Sequence, residues 1–455
     1  MRDHSPLWRK PRLLHLLDGR DGASAVAQTL ATNVTMQVLN IGTGILSARL
    51  LHPVGRGEFA AILLAPQFLA GMFTLGLPAG VVYLAKREPE HAAAYVGISL
   101  LISTALGLMV AAVATPLLPY WLNEYSPGVV RFAQWAVWLI PLGVASHTLN
   151  SVLLIHGQYG RYNFIRLSQP ALTLLGFVVM VVWGRFNPYM AVVISLGASA
   201  LLFAVNAFWV TRFLPPRLTP FIATTRKLLH YASRAWSIDL TGTLASQVDR
   251  VLVVALLVPA DLGLYVVAQS AGRLIQLVPN SLLPVLFPRA SGRAVHEVVD
   301  LTGFSARASL LIMLPVVLPL MLLAHPLLGW VYGHAFAGAA TVMRLLIIEA
   351  VLVGINGVLT QAFMALGRPG LVGFIQGISL PVTLLLLWLM VPRWGLAGAG
   401  MALVIAALAR LAFTQTCFRL VPGTPPPKLW PCLADVLRVL HSLRSRHARS
   451  AAGRI

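Results

Sequence analysis

Two stretches decide the fold: LLHPVGRGEF at residues 50–59 and LLVPADLGLY at residues 256–265. At an offset of 206 residues they share a Leu-Leu pair, a proline and a glycine, and each ends on an aromatic residue. The register continues with Leu77-Pro78 against Leu283-Pro284. GQYGRYNFI (157–165) then matches GRPGLVGFI (367–375) at an offset of 210. An internal repeat of this length predicts two related halves.

The composition indicates a membrane protein. Hydrophobic residues make up 58% of the 455 residues and charged residues only 11%, whereas a soluble domain carries about 25% charged residues. The net charge of +20 comes from basic residues that long apolar runs separate. A nucleic-acid-binding protein would instead gather them on one solvated surface, so nucleic acid is not expected as a partner.

The apolar segments predict about twelve transmembrane helices, because a helix needs about 20 apolar residues to cross the hydrocarbon core. Lipid offers no hydrogen-bond partners to the backbone, which forces these segments to be helical. We place them at 26–50, 57–85, 92–117, 131–155, 167–184, 189–212, 234–257, 264–287, 306–331, 343–366, 370–391 and 395–419.

The predicted fold is an all-α polytopic membrane protein. Six helices per half is an even number, so both halves begin on the same side and form parallel repeats, here two six-helix bundles around a central cavity. The bundles cover 26–215 and 216–420, between a basic cytoplasmic leader (1–25) and a basic cytoplasmic tail (421–455).

The distribution of Lys and Arg predicts the orientation. With the N-terminus in the cytoplasm, 25 of the 34 basic residues lie in cytoplasmic loops and termini, and six lie on the outer side. This bias favours cytoplasmic N- and C-termini.

Enzymatic and metal-binding motifs are missing from the sequence. It contains no GxxxxGK[ST], HExxH, GxSxG or CxxC pattern, and Cys417 and Cys432 lack metal-ligand spacing. We therefore expect no catalytic residues, no metal and no cofactor.

Polar residues form stripes on predicted membrane helices, since positions i, i+4, i+7 and i+11 share one helix face. The first span carries Asn33, Gln37 and Asn40, and the 206-residue offset places Asp239, Thr243, Ser246 and Arg250 on the equivalent face of the seventh. The eighth span adds Gln269, Arg273 and Gln276 on one face.

Two arginines are the sharpest candidates for substrate binding. Arg250 and Arg273 would both lie about 10–14 Å below the outer surface, at 1.5 Å per residue. Guanidinium groups at one level repel each other unless an anion or an acid lies between them, which predicts an anion-binding cavity that includes the stripe residues. The candidates for binding substrate are Arg250, Arg273, Asn33, Gln37, Asn40, Gln269 and Gln276.

Structural roles for the same residues are alternatives. Arg250 could pair with Asp239 or Asp249 to lock helices together, and the amide side chains could serve helix contacts. Arg410 is expected to extend to the cytoplasmic interface. Gly76 and Gly80 have the GxxxG spacing of a close-packing motif. Asp239, Asp249 and Glu349 are the candidates for ion coupling, because a carboxylate within a span usually marks function.

The pattern resembles the multidrug/oligosaccharidyl-lipid/polysaccharide (MOP) exporter superfamily, in its polysaccharide biosynthesis branch of the O-antigen flippase type. The resemblance spans residues 25–420 and rests on LSARLLHPVGRGEFAAI (46–62), VDRVLVVALLVPADLGLYVVAQ (248–269), VYGHAFAGAATVMRLL (331–346), GRPGLVGFI (367–375) and PRWGLAGAG (392–400).

The resemblance implies a flippase in the bacterial inner membrane that moves undecaprenyl-diphosphate-linked oligosaccharide to the outer leaflet. Its product would serve a surface polysaccharide such as O-antigen lipopolysaccharide or exopolysaccharide. The implied partners are the lipid-linked oligosaccharide and the bilayer, with polysaccharide polymerase or assembly proteins as further candidates.

Two alternatives stay open. One is an ion-coupled multidrug antiporter of the same superfamily, which would use the buried carboxylates. The other is a polytopic polysaccharide polymerase or ligase, which the absence of a large outer loop disfavours.

Overall fold

A computed structural model describes residues 22–420 and 426–430. This part of the chain is built of fourteen α-helices joined by short connections. They are α1 (Gly22–Met72), α2 (Leu77–Arg87), α3 (Ala92–Trp121), α4 (Pro127–Ala136), α5 (Ile140–Ile155), α6 (Tyr159–Val182), α7 (Pro188–Phe213), α8 (Phe221–Leu256), α9 (Pro259–Ile275), α10 (Leu277–Ala290), α11 (Val295–Leu322), α12 (Ala324–Tyr332), α13 (Ala340–Ala365) and α14 (Pro369–Leu420).

Within the described residues, eight stretches are long and apolar enough to cross a membrane. Two of them are bent at a residue with non-helical backbone, α1 at His52 and α14 at Gly395. The bend at His52 falls between the first two predicted spans, and Gly395 is the first residue of the twelfth. The all-α polytopic fold is thus confirmed, while the number twelve stays a prediction.

Several predicted spans have different boundaries in the structure. The second is interrupted after α1, where Leu75 and Gly76 have positive φ values of 48° and 67° just ahead of Pro78. The eighth begins at Pro259 and is divided at Gln276, since Pro279 has no N–H to donate to the carbonyl of Ile275. The fifth begins at Tyr159, earlier than the predicted residue 167.

The chain forms two compact units. The first comprises the residues up to Leu51 together with Glu58–Thr243, and the second comprises His52–Gly57 together with the residues from Leu244 onward. The chain therefore leaves the first unit at the bend in α1, contributes six residues to the second, and returns. Our assignment of 26–215 and 216–420 as repeat bundles stays a prediction.

The first unit packs around buried side chains from five helices. Leu77 of α2, Ile98 of α3, Val152 of α5, Val210 of α7 and Leu228 of α8 are all fully buried in one cluster. Lipid tails are as apolar as these side chains, so close van der Waals packing stabilises such a cluster inside a membrane. It fixes α2 and the first half of α8 against the rest of the unit.

The GxxxG prediction is confirmed on α2. A Cβ added at Gly76 would collide with the carbonyl oxygen of Ala232 on α8, and one at Gly80 would lie 3.0 Å from Leu228. The Trp236 indole N–H donates to the carbonyl oxygen of Met72 at 2.9 Å. This bond gives a partner to one of the carbonyl groups that the end of α1 leaves free. The break between α1 and α2 is thereby held against α8.

The internal repeat is visible in matching buried contacts. In the first unit, Asn206 of α7 donates to Asn150 of α5 at 2.9 Å. In the second, Thr414 of α14 donates to Asn356 of α13 at 2.7 Å. Asn150 and Asn356 are 206 residues apart, so the α5–α7 bond and the α13–α14 bond start from equivalent positions of the sequence repeat.

A second pair of matching contacts involves two short proline-rich segments of similar sequence. PPRLTP (215–220) and PPKLWP (426–431) are similar in sequence, and we call residues 215–220 and 426–430 the two straps. In the first unit, the Arg217 N–H donates to Ala93 O at 2.9 Å, and its backbone lies against Gly97. In the second unit, Pro427 lies against Gly303, 206 residues after Gly97. Each strap therefore lies against a helix glycine: the first strap against Gly97 on α3, and the second against Gly303 on α11.

Candidate functional site

Four ionisable side chains come together inside the second unit. Asp249 and Arg250 lie near the end of α8, Glu349 lies on α13, and Arg410 lies on α14. Glu349 interacts electrostatically with Asp249, Arg410 and Arg250, and Asp249 interacts with both arginines. We call these four residues the ionic cluster.

The ionic cluster is only partly neutralised by direct bonds. All four residues are half-buried, and none of them forms an ion pair with an N···O distance of 4 Å or less in the described part of the chain. Asp249 Oδ1, Arg250 Nε and Arg410 Nε are buried without a hydrogen-bond partner among the described residues. Buried polar atoms are normally satisfied, so such atoms call for a functional explanation or for water.

Arg273 extends the positive charge of the cluster. It lies on α9, repels Arg250, and donates to Oε1 of Gln269 at 3.3 Å. The structure thus brings the two predicted arginines within electrostatic range of each other. Gln276 instead donates to the carbonyl oxygen of Ala350 at 2.7 Å, so its amide N–H serves a helix contact.

Arg56 was missed as a site residue because the sequence placed it in an outer loop. The structure places it in the six-residue excursion of α1 into the second unit, half-buried and within electrostatic range of Arg273 and Tyr332. The sequence signal was its position in the repeat segment itself, LLHPVGRGEF. With Arg56, the second unit gathers four arginines around two carboxylates.

The first unit carries a smaller polar group. Arg166 donates to Oδ1 of Asn33 at 3.2 Å, joining α6 to α1. Asn33 and Asn40 are exposed, and Gln37 is half-buried. Arg166 lies between the predicted fourth and fifth spans, but because α6 begins at Tyr159 it lies on the helix and adds a cation to the predicted stripe.

Two further predictions stay open. The carboxylates of Glu349 and Asp249 attract the guanidinium group of Arg410, and its extension to the cytoplasmic interface stays a prediction. The side chains of Asp239 and Ser246 lie outside the described residues, so the proposed roles of Asp239 stay predictions.

The arrangement in the second unit suits an anion better than a metal. No group of His, Cys, Asp or Glu in the described residues could hold a metal ion. The group thus contains four arginines and two carboxylates. Guanidinium forks bind phosphate oxygens through paired hydrogen bonds.

These features define a class of protein: a multi-pass helical membrane protein in which ionisable side chains from several helices come together. The fold is that of the MOP superfamily transporters. The lipid II flippase MurJ in an inward closed conformation is similar with a TM-score of 0.71 and 14% identity, over 92% of this chain and 91% of that one. An inward-facing multidrug resistance MATE family transporter is similar with a TM-score of 0.67 and 14% identity, over 84% of this chain and 94% of that one.

The family follows from the sequence match. A family model described as polysaccharide biosynthesis protein matches residues 46–341, more than half of the chain. The chain therefore belongs to the polysaccharide biosynthesis protein family, which confirms the predicted resemblance.

A curated relative is similar to part of the chain. It is a probable low-salt glycan biosynthesis flippase of Haloferax volcanii, 22% identical over 191 residues. The match covers 41% of this chain and 40% of the length of that relative.

Proposed function

We propose that the protein is a flippase for lipid-linked oligosaccharide. It would move undecaprenyl-diphosphate-linked oligosaccharide from the cytoplasmic to the outer leaflet of the bacterial inner membrane by alternating access, with both termini in the cytoplasm. Membership of the polysaccharide biosynthesis family supports this proposal, as does the similarity to a relative described as a probable flippase.

One observation carries the proposal: the excess of arginines in the second unit. A diphosphate cannot cross hydrocarbon without groups that neutralise it, because an unpaired charge in an apolar medium is strongly disfavoured. Arg250 and Arg273 repel each other in the absence of an anion. A diphosphate bound near them would relieve this repulsion. We assign Arg250 and Arg273 to the diphosphate, and Gln269 to the positioning of Arg273 through the bond between them.

The polar group of the first unit has a different assignment. Asn33, Gln37 and Asn40 offer amide groups rather than net charge, and amides suit sugar hydroxyls, which both donate and accept hydrogen bonds. We propose that this stripe contacts the oligosaccharide. Gln276 stays a candidate through its side-chain amide oxygen and its second N–H, since only one N–H of the amide is bonded to Ala350.

The buried carboxylates give a second candidate function. Asp249 and Glu349 interact with each other inside the ionic cluster, and paired buried carboxylates can take up a proton or a cation. We propose that they couple transport to an ion, together with Asp239. An ion-coupled multidrug antiporter would use the same pair to bind a cationic substrate, but the arginines around them oppose that charge.

Complementation of a deletion strain tests the transport proposal. Arg250→Ala and Arg273→Ala should lower surface polysaccharide by at least about tenfold, since each removes a charge-assisted contact worth about 1.5–3 kcal/mol. Arg293→Ala is the matched control, because Arg293 is exposed and pairs only with Glu297 at 4.0 Å on the surface. Normal polysaccharide in both cavity variants, at equal protein levels in the membrane, would overturn the assignment.

Dye efflux separates the two candidate functions. Vesicles that contain the wild-type protein should not expel cationic dyes in response to a proton or sodium gradient. Efflux that Glu349→Gln abolishes would favour the antiporter instead.

A further inference from the structure

A cleft in the first unit, whose lining includes no residue of the ionic cluster, combines cations with aromatic rings. It is open, has a volume of about 750 Å³, and lies between the end of α2 and the third turn of α8. Its lining consists of Ala79, Val82, Tyr83, Lys86, Arg87 and Tyr231. Two of these six residues are cationic and none is acidic.

The floor of the cleft is formed by a pair of stacked rings. Tyr83 and Tyr231 lie nearly parallel, at 7°, with their centroids 4.3 Å apart. The Arg87 guanidinium donates to the Tyr83 hydroxyl at 2.8 Å and lies 6.0 Å from the ring centroid. The arginine is thereby held at the edge of the platform instead of extending freely into solvent.

Glu88, the carboxylate that follows Arg87 in the chain, bonds to other residues. Glu88 accepts from Lys227 at 2.9 Å through both oxygens and from the Tyr95 hydroxyl at 2.7 Å. Within the described residues, neither Lys86 nor Arg87 takes part in an ion pair. The cleft therefore keeps two uncompensated positive charges beside an aromatic surface.

The walls of the cleft are fixed in position. Gly76 and Gly80 bring α2 into close contact with α8, and the Lys227–Glu88 ion pair joins the same two elements at the other end of α2. A preformed cleft loses little conformational entropy when a ligand binds. The excess of basic residues in the neighbouring loops places this end of α2 on the cytoplasmic side.

We propose that this cleft is a binding site for a phosphate or diphosphate group. Arg87 and Lys86 would bind the phosphate oxygens, and the Tyr83–Tyr231 platform would pack against the group that carries the phosphate. A lipid headgroup and a soluble phosphate compound share this chemistry. The proposal does not depend on the transport function, because it concerns binding in the first unit alone.

Lysine labelling of the full-length protein tests the site without any substitution. The protein is placed in phosphatidylcholine nanodiscs and acetylated with an amine-reactive reagent, and the modification of each lysine is followed by peptide mass spectrometry. Inorganic pyrophosphate, or phosphatidylglycerol in the disc, should slow the labelling of Lys86 by about tenfold. Lys428, which is also exposed, should react at an unchanged rate.

The two probes distinguish the sources of the phosphate. Protection by pyrophosphate identifies a site for soluble phosphate groups, and protection by phosphatidylglycerol alone identifies a site for lipid headgroups. Either result supports the proposal. Unchanged labelling of Lys86 with both probes would overturn it.

A matched pair of variants tests the role of Arg87. Arg87→Gln should remove the protection of Lys86. Arg212→Gln should keep it, because Arg212 also lies over an aromatic ring, 4.3 Å from the centroid of Phe208, but does not line the cleft. Protection that persists in Arg87→Gln, or that both variants lose equally, would mean that general surface charge explains the effect.

Discussion

Gly57 and Gly263 show how strictly a single position of the repeat is constrained. A Cβ on Gly57 would collide with the carbonyl of Pro259, and one on Gly263 would collide with the carbonyl of Pro53. Neither glycine has a positive φ, so the requirement is for space and not for an unusual backbone. The two repeat segments around Gly57 and Gly263 thus contact each other reciprocally inside the second unit.

Gly263→Ala should therefore destabilise the protein. Overpacking of a tight contact costs about 1–3 kcal/mol, and here backbone atoms would have to move. Gly197→Ala is the control, because nothing lies within 4 Å of that glycine's added Cβ and alanine favours a helix by about 1 kcal/mol. Thermal unfolding in detergent should show a lower melting temperature for Gly263→Ala only. Equal melting temperatures for Gly263→Ala and the wild type would contradict the contact.

Glu88 gives a residue-level prediction on pH. Hydrogen bonds from Lys227 and Tyr95 hold the pKa of the Glu88 carboxyl below its ordinary value of 4.5. A lowered pKa in the folded state means that the contribution to stability is present above about pH 4.5 and is lost as the pH falls through the folded pKa.

Glu88→Gln should consequently be less stable than the wild type at neutral pH, and the difference should vanish in acid. Unfolding midpoints measured from pH 7 down to about pH 3 would show the two curves converging. Glu297→Gln serves as the control, since an exposed surface pair contributes little. A constant gap across the whole range would refute the assigned role of the carboxylate.

At the scale of elements, paired helices repeat between the units. The buried Asn356–Thr414 bond joins α13 to α14 in the second unit, as Asn150–Asn206 joins α5 to α7 in the first. A polar bond inside an apolar helix pair sets the level at which the helices contact, since any shift leaves the polar groups unsatisfied.

Thr414→Val should lower the free energy of unfolding by about 1–3 kcal/mol, because it leaves the Asn356 oxygen without its donor. Thr416→Val is a close control on the same helix. Its exposed hydroxyl donates only to the carbonyl of Ala412, one turn earlier. Denaturant unfolding of the two variants should separate them. Loss of the same stability in both would show that the interhelical bond contributes nothing.

The elements also show where prediction from sequence succeeds and fails. Apolar length and the repeat predicted the helices and the span boundaries near His52 and Gly395. They failed where proline ends a hydrogen-bonding pattern inside an apolar run, as at Gln276. They also failed at Arg166, because a charged residue near a predicted loop can belong equally to the first turns of a helix.

At the scale of the whole molecule, the sequence identified the membrane class and the family but only part of the site. Helical periodicity placed Arg250 and Arg273 on polar faces, which the structure brings within electrostatic range. Periodicity cannot show which helices are neighbours, so it missed Arg56 and did not bring Arg410 together with the carboxylates. Both belong to the charged group only through contacts between helices that are distant in sequence.

The central claim is that the protein moves a diphosphate-linked glycan across the bilayer with its second-unit arginines. The most direct measurement uses sealed proteoliposomes with a lipid-diphosphate oligosaccharide in the inner leaflet. A membrane-impermeant glycosidase added outside reports the glycan that reaches the outer leaflet. We expect cleavage with the wild type and Arg293→Ala, and at least about tenfold slower cleavage with Arg250→Ala or Arg273→Ala. Cleavage at the wild-type rate in both cavity variants, or no cleavage with the wild type, would contradict the account.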